Sequence, residues 1–217
     1  MGQRGFFITF EGGEGSGKTT QCKRLAIDLE KAGYGVLLTH EPGGTPISEQ
    51  IRGILLNREH REMVSTTELL LFAAARAQHV SERIVPALDE GRIVISARFA
   101  DSMVAYQGYA RGLELELIHH LNRIATQGLT PDLTIVLDLP VEIGLERARQ
   151  SRESMDRMES ERIEFHKCLR NGFLTIACQE PDRIKVIDAQ MDPDRVYEQI
   201  KAEVDRRINE KDNKWRN

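Results

Sequence analysis

Hydrophobic positions fall into two rhythms along the chain. Five short runs are almost continuously apolar or β-branched: Phe6–Phe10, Val36–Thr39, Ile93–Ser96, Leu133–Asp138 and Ile184–Asp188. Such runs suit strands buried on both faces of a parallel sheet. Between them apolar residues recur at helical spacing. This predicts helices over Lys18–Ala32, Ile47–Leu56, Thr67–Glu90, Leu113–Thr126, Val141–Gln150, Ser160–Cys178 and Pro193–Asn209. Strand and helix alternating through right-handed crossovers give a doubly wound α/β sheet. No internal repeat, low-complexity tract or Ser/Pro linker divides the 217 residues, so one domain spanning 1–217 is expected. The polar tail Arg206–Asn217 is expected to fray.

Charge narrows the partners. The chain has 30 Lys+Arg against 34 Asp+Glu, a net charge of −4. A nucleic-acid binder usually shows a net basic domain, so no nucleic-acid partner is expected. Any anionic ligand must instead meet positive charge gathered locally. The three cysteines, Cys22, Cys168 and Cys178, form no CxxC pair and fit free thiols in a reducing compartment. The N-terminus has no signal-peptide core, and Phe6 breaks the myristoylation pattern. No apolar run nears the roughly 20 residues of a membrane span. A soluble, cytoplasmic protein without a membrane partner is expected.

Two segments do not read as scaffold. Gly43-Gly44-Thr45-Pro46 is a turn cluster after the second strand. Residues 146–164 are densely charged, with Arg147, Arg149, Arg152, Arg157 and Arg162 interleaved with acids. That segment is either a solvated helix pair or a mobile cover.

The chemistry begins at Gly12-Gly13-Glu14-Gly15-Ser16-Gly17-Lys18-Thr19, which fits GxxxxGK[ST]. It follows the first strand and opens a helix, as the motif requires. Glycines let the backbone curl around a phosphate and aim N–H groups inward. The helix N-terminus adds partial positive charge. Lys18 reaches the β- and γ-phosphates, and the Thr19 hydroxyl ligates Mg²⁺. The ATP-binding set therefore runs from Gly12 through Thr19 to Thr20. Glu14 would be repelled by a triphosphate, so it is either an exposed loop acid or turned toward a sugar hydroxyl of a second substrate. No Asn-Lys-x-Asp element marks a guanine-nucleotide switch, and the small size argues against a motor ATPase. A small-molecule kinase fits best.

Further elements carry a resemblance. Phe10-Glu11-Gly12, Glu41-Pro42-Gly43-Gly44-Thr45, Arg98-Phe99 and Ala105-Tyr106-Gln107-Gly108 occur in that order. Asp156-Arg157-Met158-Glu159 follows, with Phe165 beyond it. From about residue 6 to 205 the chain resembles the thymidylate kinase family. The resemblance implies a three-layer α/β/α architecture with a five-stranded parallel sheet, as in phosphate-loop nucleoside monophosphate kinases. It implies the reaction ATP + dTMP → ADP + dTDP with Mg²⁺, a homodimer, and a lid at about 147–160.

The second substrate site is partly readable from chemistry. Phe72 and Arg76 are i and i+4 on an otherwise apolar helix and share one face. A stacking ring beside a guanidinium that donates to a carbonyl can read a pyrimidine. A helical Phe is most often core, but a buried Arg needs a partner. Arg98 follows the third strand directly, where an open α/β sheet lines its ligand crevice.

The resemblance assigns Phe72 and Arg76 to thymine, and Arg98 with Arg52 to the dTMP phosphate. It puts Ser102 and Gln107 near the base and Tyr106 against the 2′ position. It places Glu14 near the 3′-hydroxyl, and Glu41 with Pro42 in the same cleft. Ser102 also suits a helix cap after Asp101. With no Arg in the phosphate loop, the lid should supply the catalytic one from Arg149, Arg152 or Arg157, alongside Lys18 and Arg98. Surface ion pairing to Glu153 and Glu159 is the alternative for one or two of them.

One departure stands out. The family element after the third strand is Asp-Arg-(Tyr, Phe or His), whereas this chain reads Ser96-Ala97-Arg98-Phe99. An acid there is expected to hold Mg²⁺ or its waters and orient the Arg. Its loss predicts slowed transfer, on the order of 10²–10³ in kcat. The alternatives are a catalytically impaired nucleotide-binding protein and a kinase of another pyrimidine monophosphate such as dUMP or dCMP. His40, where Arg is frequent, is expected to matter little.

Overall fold

A computed structural model describes residues 4–151 and 156–216, with side chains except those of residues 151 and 211–216. Five parallel strands form the sheet in the order β2-β3-β1-β4-β5: β1 Phe7–Glu11, β2 Val36–His40, β3 Ile93–Ala97, β4 Leu133–Asp138 and β5 Ile184–Asp188. Strands β1, β3 and β4 are buried along nearly their whole length, as the near-continuous apolar runs predict. The register Phe10↔Ala97↔His40 places the carboxyl ends of β1, β3 and β2 side by side. Ligands bind at that edge of an open α/β sheet.

Helices cover the sheet: α1 Lys18–Lys31, α2 Pro46–Leu56, α3 Ser65–His79, α4 Val85–Asp89, α5 Ala100–Met103, α6 Leu115–Thr126, α7 Val141–Ser151, α8 Ile163–Gln179 and α9 Pro193–Arg216. Most lie within a few residues of their expected bounds, and three differences have physical causes. The single helix expected over Thr67–Glu90 is broken by a wider, π-type turn at Val80–Ile84. Pro86 just beyond it lacks an N–H and cannot continue the regular bonding ladder. A short helix α5 and a second π-type turn, Val104–Ala110, occupy a stretch assigned no element from the sequence. The tail does not end early, since α9 continues to Arg216. Ion pairs three and four residues apart, Arg206 with Glu203 and Glu210, and Arg207 with Glu203, support its polar end.

The core lies in two layers. On one side, α1 and α9 pack on the sheet through Leu25, Leu29, Val196, Ile200 and Val204. On the other, α3, α6 and α8 gather around Leu69, Ile118, Leu169 and Phe173. This second layer forms the floor of the ligand edge.

Candidate active site

The phosphate loop is built by close backbone approach. Gly12 has φ 130°, and a Cβ there would lie 2.4 Å from the Leu137 carbonyl oxygen. Gly15 has φ 65°, and its Cβ would meet the Gly144 carbonyl oxygen of α7 at 2.0 Å. Only glycine fits either place. Lys18 folds back over the loop, donating to the carbonyl oxygens of Gly12 at 3.0 Å and Gly13 at 2.6 Å, and to Ser16 Oγ at 3.1 Å. Burial and the adjacent Arg98 lower its pKa to about 7. An incoming phosphate would reverse that shift. Gly15, Ser16, Gly17, Lys18, Thr19 and Thr20 line one cavity of about 650 Å³ together with Ala97 and Arg147.

A second, tighter cavity of about 90 Å³ lies next to it. Its walls bring together Glu14, Glu41, Pro42, Arg52, Phe72 and Arg76, and beyond them Arg98, Ser102, Tyr106 and Gln107. Every residue expected at a monophosphate site therefore reaches one pocket. Glu14, Glu41, Arg52 and Arg98 border both cavities.

Arg76 is the most tightly held of these residues. It is buried, and Nε donates to Glu41 Oε2 at 2.7 Å. Nη1 donates to Asn122 Oδ1 at 2.8 Å and meets Met103 Sδ at 3.3 Å, while Nη2 donates to the Phe99 carbonyl at 2.9 Å. Of five N–H donors, one is left for a ligand. Glu41 also pairs with His79 Nδ1 at 3.1 Å, and His79 Nε2 lies 2.7 Å from Thr39 Oγ1. Burial alone would raise the Glu41 pKa, but Arg76 and His79 outweigh it and hold the carboxylate ionised.

Arg98 occupies the left-handed region at φ 72°, rare for a residue other than glycine. Such a backbone costs on the order of 1–3 kcal/mol and persists only when its surroundings fix it. Here they do. The Arg98 N–H donates to the Phe10 carbonyl at 2.8 Å, and Ser96 Oγ donates to the Arg98 carbonyl at 2.7 Å. The Phe99 N–H donates to Glu11 Oε1 at 2.7 Å. The guanidinium then spans to Glu14 Oε1 at 2.7 Å, which the Tyr106 hydroxyl also contacts at 2.5 Å. Burial opposes the Glu14 charge, but Arg98, Lys18 and Tyr106 together hold its pKa down to about 2. Glu14 thus parks Arg98 beside the pocket.

Ser102 corrects one expectation. It neither caps α5 nor aims its hydroxyl at the pocket; Oγ donates to Glu11 Oε2 at 2.5 Å. Glu11 instead accepts the Phe99 and Ser102 amides from one strand away and so caps the start of α5. Burial and neighbouring Asp101, partly offset by the Ser102 hydroxyl, raise the Glu11 pKa to about 7. Asp101 does not replace the acid missing at Ala97, because Arg183 holds both of its oxygens, at 2.7 and 2.9 Å.

The described lid arginines are not gathered. Arg149 is exposed on α7 and borders neither cavity. Arg152 lies outside the described residues. Arg157 is buried and turned away from the phosphate loop, with Nη2 2.6 Å from Glu68 Oε2 and Nε donating to the Leu55 carbonyl. The expectation that Arg157 faces the transferred phosphate is not met here, because Glu68 offers a nearer carboxylate. Arg147, not among the expected site residues, borders the phosphate-loop cavity and donates to the Ala189 carbonyl at 3.0 Å. Its only sequence signal was membership of the charged segment.

Among the described residues no group of three acidic, His or Cys side chains forms a metal cage. Thr19 fits a ligand for a divalent ion: it is exposed in the loop cavity, and no described side-chain bond engages its hydroxyl.

A phosphate loop at the carboxyl edge of a parallel sheet, adjoining an Arg-rich pocket for a second small anion, defines a nucleoside monophosphate kinase. The family model for thymidylate kinase matches residues 10–200. The chain belongs to the thymidylate kinase family. A thymidylate kinase of Syntrophotalea carbinolica is 52% identical over 90% of this chain and 93% of its own length. One from Geobacter sulfurreducens is 54% identical over 85% and 89%. The crystal structure of the Ehrlichia chaffeensis thymidylate kinase superposes with a TM-score of 0.76 at 35% identity, covering 93% of this chain and 99% of that one. No helix among the described residues is long and apolar enough to cross a membrane.

Proposed function

We propose that the chain transfers the terminal phosphoryl group of ATP to dTMP, giving dTDP and ADP. The observation that carries this reading is the pinned Phe72–Arg76 pair beside Arg98, in a pocket that adjoins the phosphate loop. Phe72 offers a face for the base, and the one free donor of Arg76 suits a pyrimidine carbonyl. Tyr106, held by Glu14, crowds the sugar and favours deoxyribose. Arg98 and Arg52 bind the monophosphate as a dianion, which a guanidinium fork suits. As dTMP enters, Arg98 exchanges Glu14 for that phosphate, and Glu14 becomes the acceptor for the 3′-hydroxyl.

Lys18 and the loop amides hold the β- and γ-phosphates of ATP. Thr19 would hold Mg²⁺, which would supply neutralising charge to those phosphates. The catalytic Arg of the lid comes from Arg149, Arg152 or Arg147 after closure. The geometry disfavours Arg157 for this role.

Ala97 lines the loop cavity at the position of the family's Asp. We propose that its methyl group leaves the attacking side short of one orienting acid, so turnover is slowed rather than abolished. The readings as a non-catalytic nucleotide binder or a kinase of another monophosphate gain no support from the relatives, which are named thymidylate kinases. We also propose a homodimer. Exposed apolar residues Ile47 and Ile54 on α2, Leu70 on α3, and Leu117 and Ile124 on α6 belong to helices that pack in sequence, α2 on α3 and α3 on α6. Cytoplasmic action fits the three unpaired cysteines.

Measuring ADP release with dTMP, dUMP and dCMP as acceptors tests the substrate. dTMP should lead by at least about tenfold in kcat/KM, the scale of one methyl-sized contact. A lead by dUMP or dCMP would overturn the assignment.

A further inference from the structure

A third cavity, of about 430 Å³, opens between the loop joining α2 to α3 and the turn that leads into α8. Among the described residues it shares no lining residue with either nucleotide cavity. Four arginines line it: Arg58 and Arg61 from the loop, Arg111 after the second π-type turn, and Arg157.

Among the described residues two carboxylates serve this group, and both are already engaged. Glu68 accepts Arg111 Nε and Nη2, each at 3.1 Å, and lies 2.6 Å from Arg157 Nη2. Glu161 takes Arg111 Nη2 at 2.6 Å. Glu68 also accepts Gln107 Nε2 at 3.0 Å, which uses more of its capacity. Arg58 and Arg61 are exposed, and among the described residues no carboxylate lies within ion-pair distance of either. The cavity therefore holds two cations beyond its acids in a chain of net charge −4. Like charges drawn together repel unless an anion joins them.

The inner pair is preorganised. Arg111 lies over the Phe165 ring at 4.6 Å, and Arg157 is anchored by its bond to the Leu55 carbonyl. Ser65 opens α3 at the rim, where no side chain caps the first-turn amides. Those amides add partial positive charge to the same opening. Among the described residues no aromatic ring lines the cavity, and Met63 is its one apolar residue. Such a lining reads charge and offers a base no stacking face.

We propose that this cavity is a second anion site that takes an oligophosphate through its phosphates alone. Its volume lies within the range of roughly 300–1,000 Å³ usual for small-ligand sites. Arginine forks bind phosphate oxygens two at a time.

Calorimetric titration with tripolyphosphate tests this. The unaltered chain should show two binding events, one of which Lys18→Met removes. Substituting Arg58→Ala with Arg61→Ala should weaken the other on the order of 10²-fold, the scale of one or two lost charge-assisted bonds. Both arginines are exposed, so the doubly substituted chain should melt with the unaltered one. In the Lys18→Met background, dTTP and tripolyphosphate should bind this site within about threefold of each other, since a like phosphate chain meets a like charge. A single event abolished by Lys18→Met overturns the proposal. So does a second event untouched by the double substitution. A large preference for dTTP overturns the phosphate-only reading.

Discussion

The two nucleotide cavities are built to opposite specifications. The monophosphate pocket is small, about 90 Å³, and its key cation Arg76 is pinned by Glu41, Asn122 and the Phe99 carbonyl before any ligand arrives. The phosphate-loop cavity is about 650 Å³, and its key cation Lys18 rests on its own loop's carbonyls. One site has its geometry fixed by protein partners. The other waits for the substrate's charge, and of the arginines expected to complete it the described ones are exposed (Arg149) or turned away (Arg157). Base recognition needs rigid donors, whereas phosphoryl transfer needs groups that can close around a moving charge. The sheet edge lets both share Glu14, Glu41, Arg52 and Arg98 without sharing stiffness.

The largest test of this contrast is Lys18→Met. If the halves are energetically separate, kcat should fall on the order of 10³, the upper range for one preorganised electrostatic group. The Kd for dTMP should then move less than about threefold, because Lys18 would not couple to the pocket through its neighbours Arg98 and Glu14. Single-turnover kinetics and equilibrium binding read the two quantities apart. A matching loss of dTMP affinity would break the contrast.

Ala97→Asp probes the under-built side by adding to it. The residue lines the loop cavity, and its backbone is fixed by the bond from the Glu41 amide to its carbonyl at 3.0 Å. A carboxylate there would enter the cavity that Lys18 and Thr19 also line. kcat should rise on the order of 10²–10³ with KM for dTMP nearly constant. Equal rates for the two chains would show that the loop side already has the charge it needs.

Asn122→Ala sharpens the comparison from the pinned side. It removes an acceptor from buried Arg76 and a donor to the Ala100 carbonyl. Losing a hydrogen bond to a charged group costs about 1.5–3 kcal/mol, so the urea midpoint should drop accordingly. KM for dTMP should rise while kcat stays within about twofold, as for a loss of ground-state positioning. A fall in kcat alone would place Arg76 on the transfer side instead.

The fold was legible because its signal is local. Five apolar runs and the helical spacing between them set the sheet, and each strand fell within two residues of its expected bounds. Pairs at helical spacing were legible too, so Phe72 and Arg76 share the pocket. Glu11 was not, since its partners Phe99 and Ser102 lie 88 and 91 positions away. Nor was Arg157, because nothing in a charged run says which carboxylate each guanidinium will choose. The left-handed turn at Arg98 was equally hidden, as no glycine marks it. Site geometry here depends on long-range polar partners, and spacing along the chain carries no record of them.

Glu11→Gln gives the smallest effect and examines how the pinned side is held. The Glu11 carboxyl is raised by burial and Asp101 to about 7, above the ordinary value of 4.5. Between those values the folded chain binds more protons than the unfolded one. Stability contributed by protonated Glu11 is therefore complete below about pH 4.5 and lost as pH rises through about 7, with a slope of at most about 1.4 kcal/mol per pH unit. Gln keeps acceptance from Phe99 and Ser102 through its amide oxygen but cannot ionise. The substituted chain should lose this alkaline decline, so urea midpoints at pH 5.5 and 8 should lie closer together than in the unaltered chain. If the decline persists unchanged, Glu11 holds the Arg98 turn as a carboxylate throughout. The pinned side would then rely on fixed charge, as the loop side does.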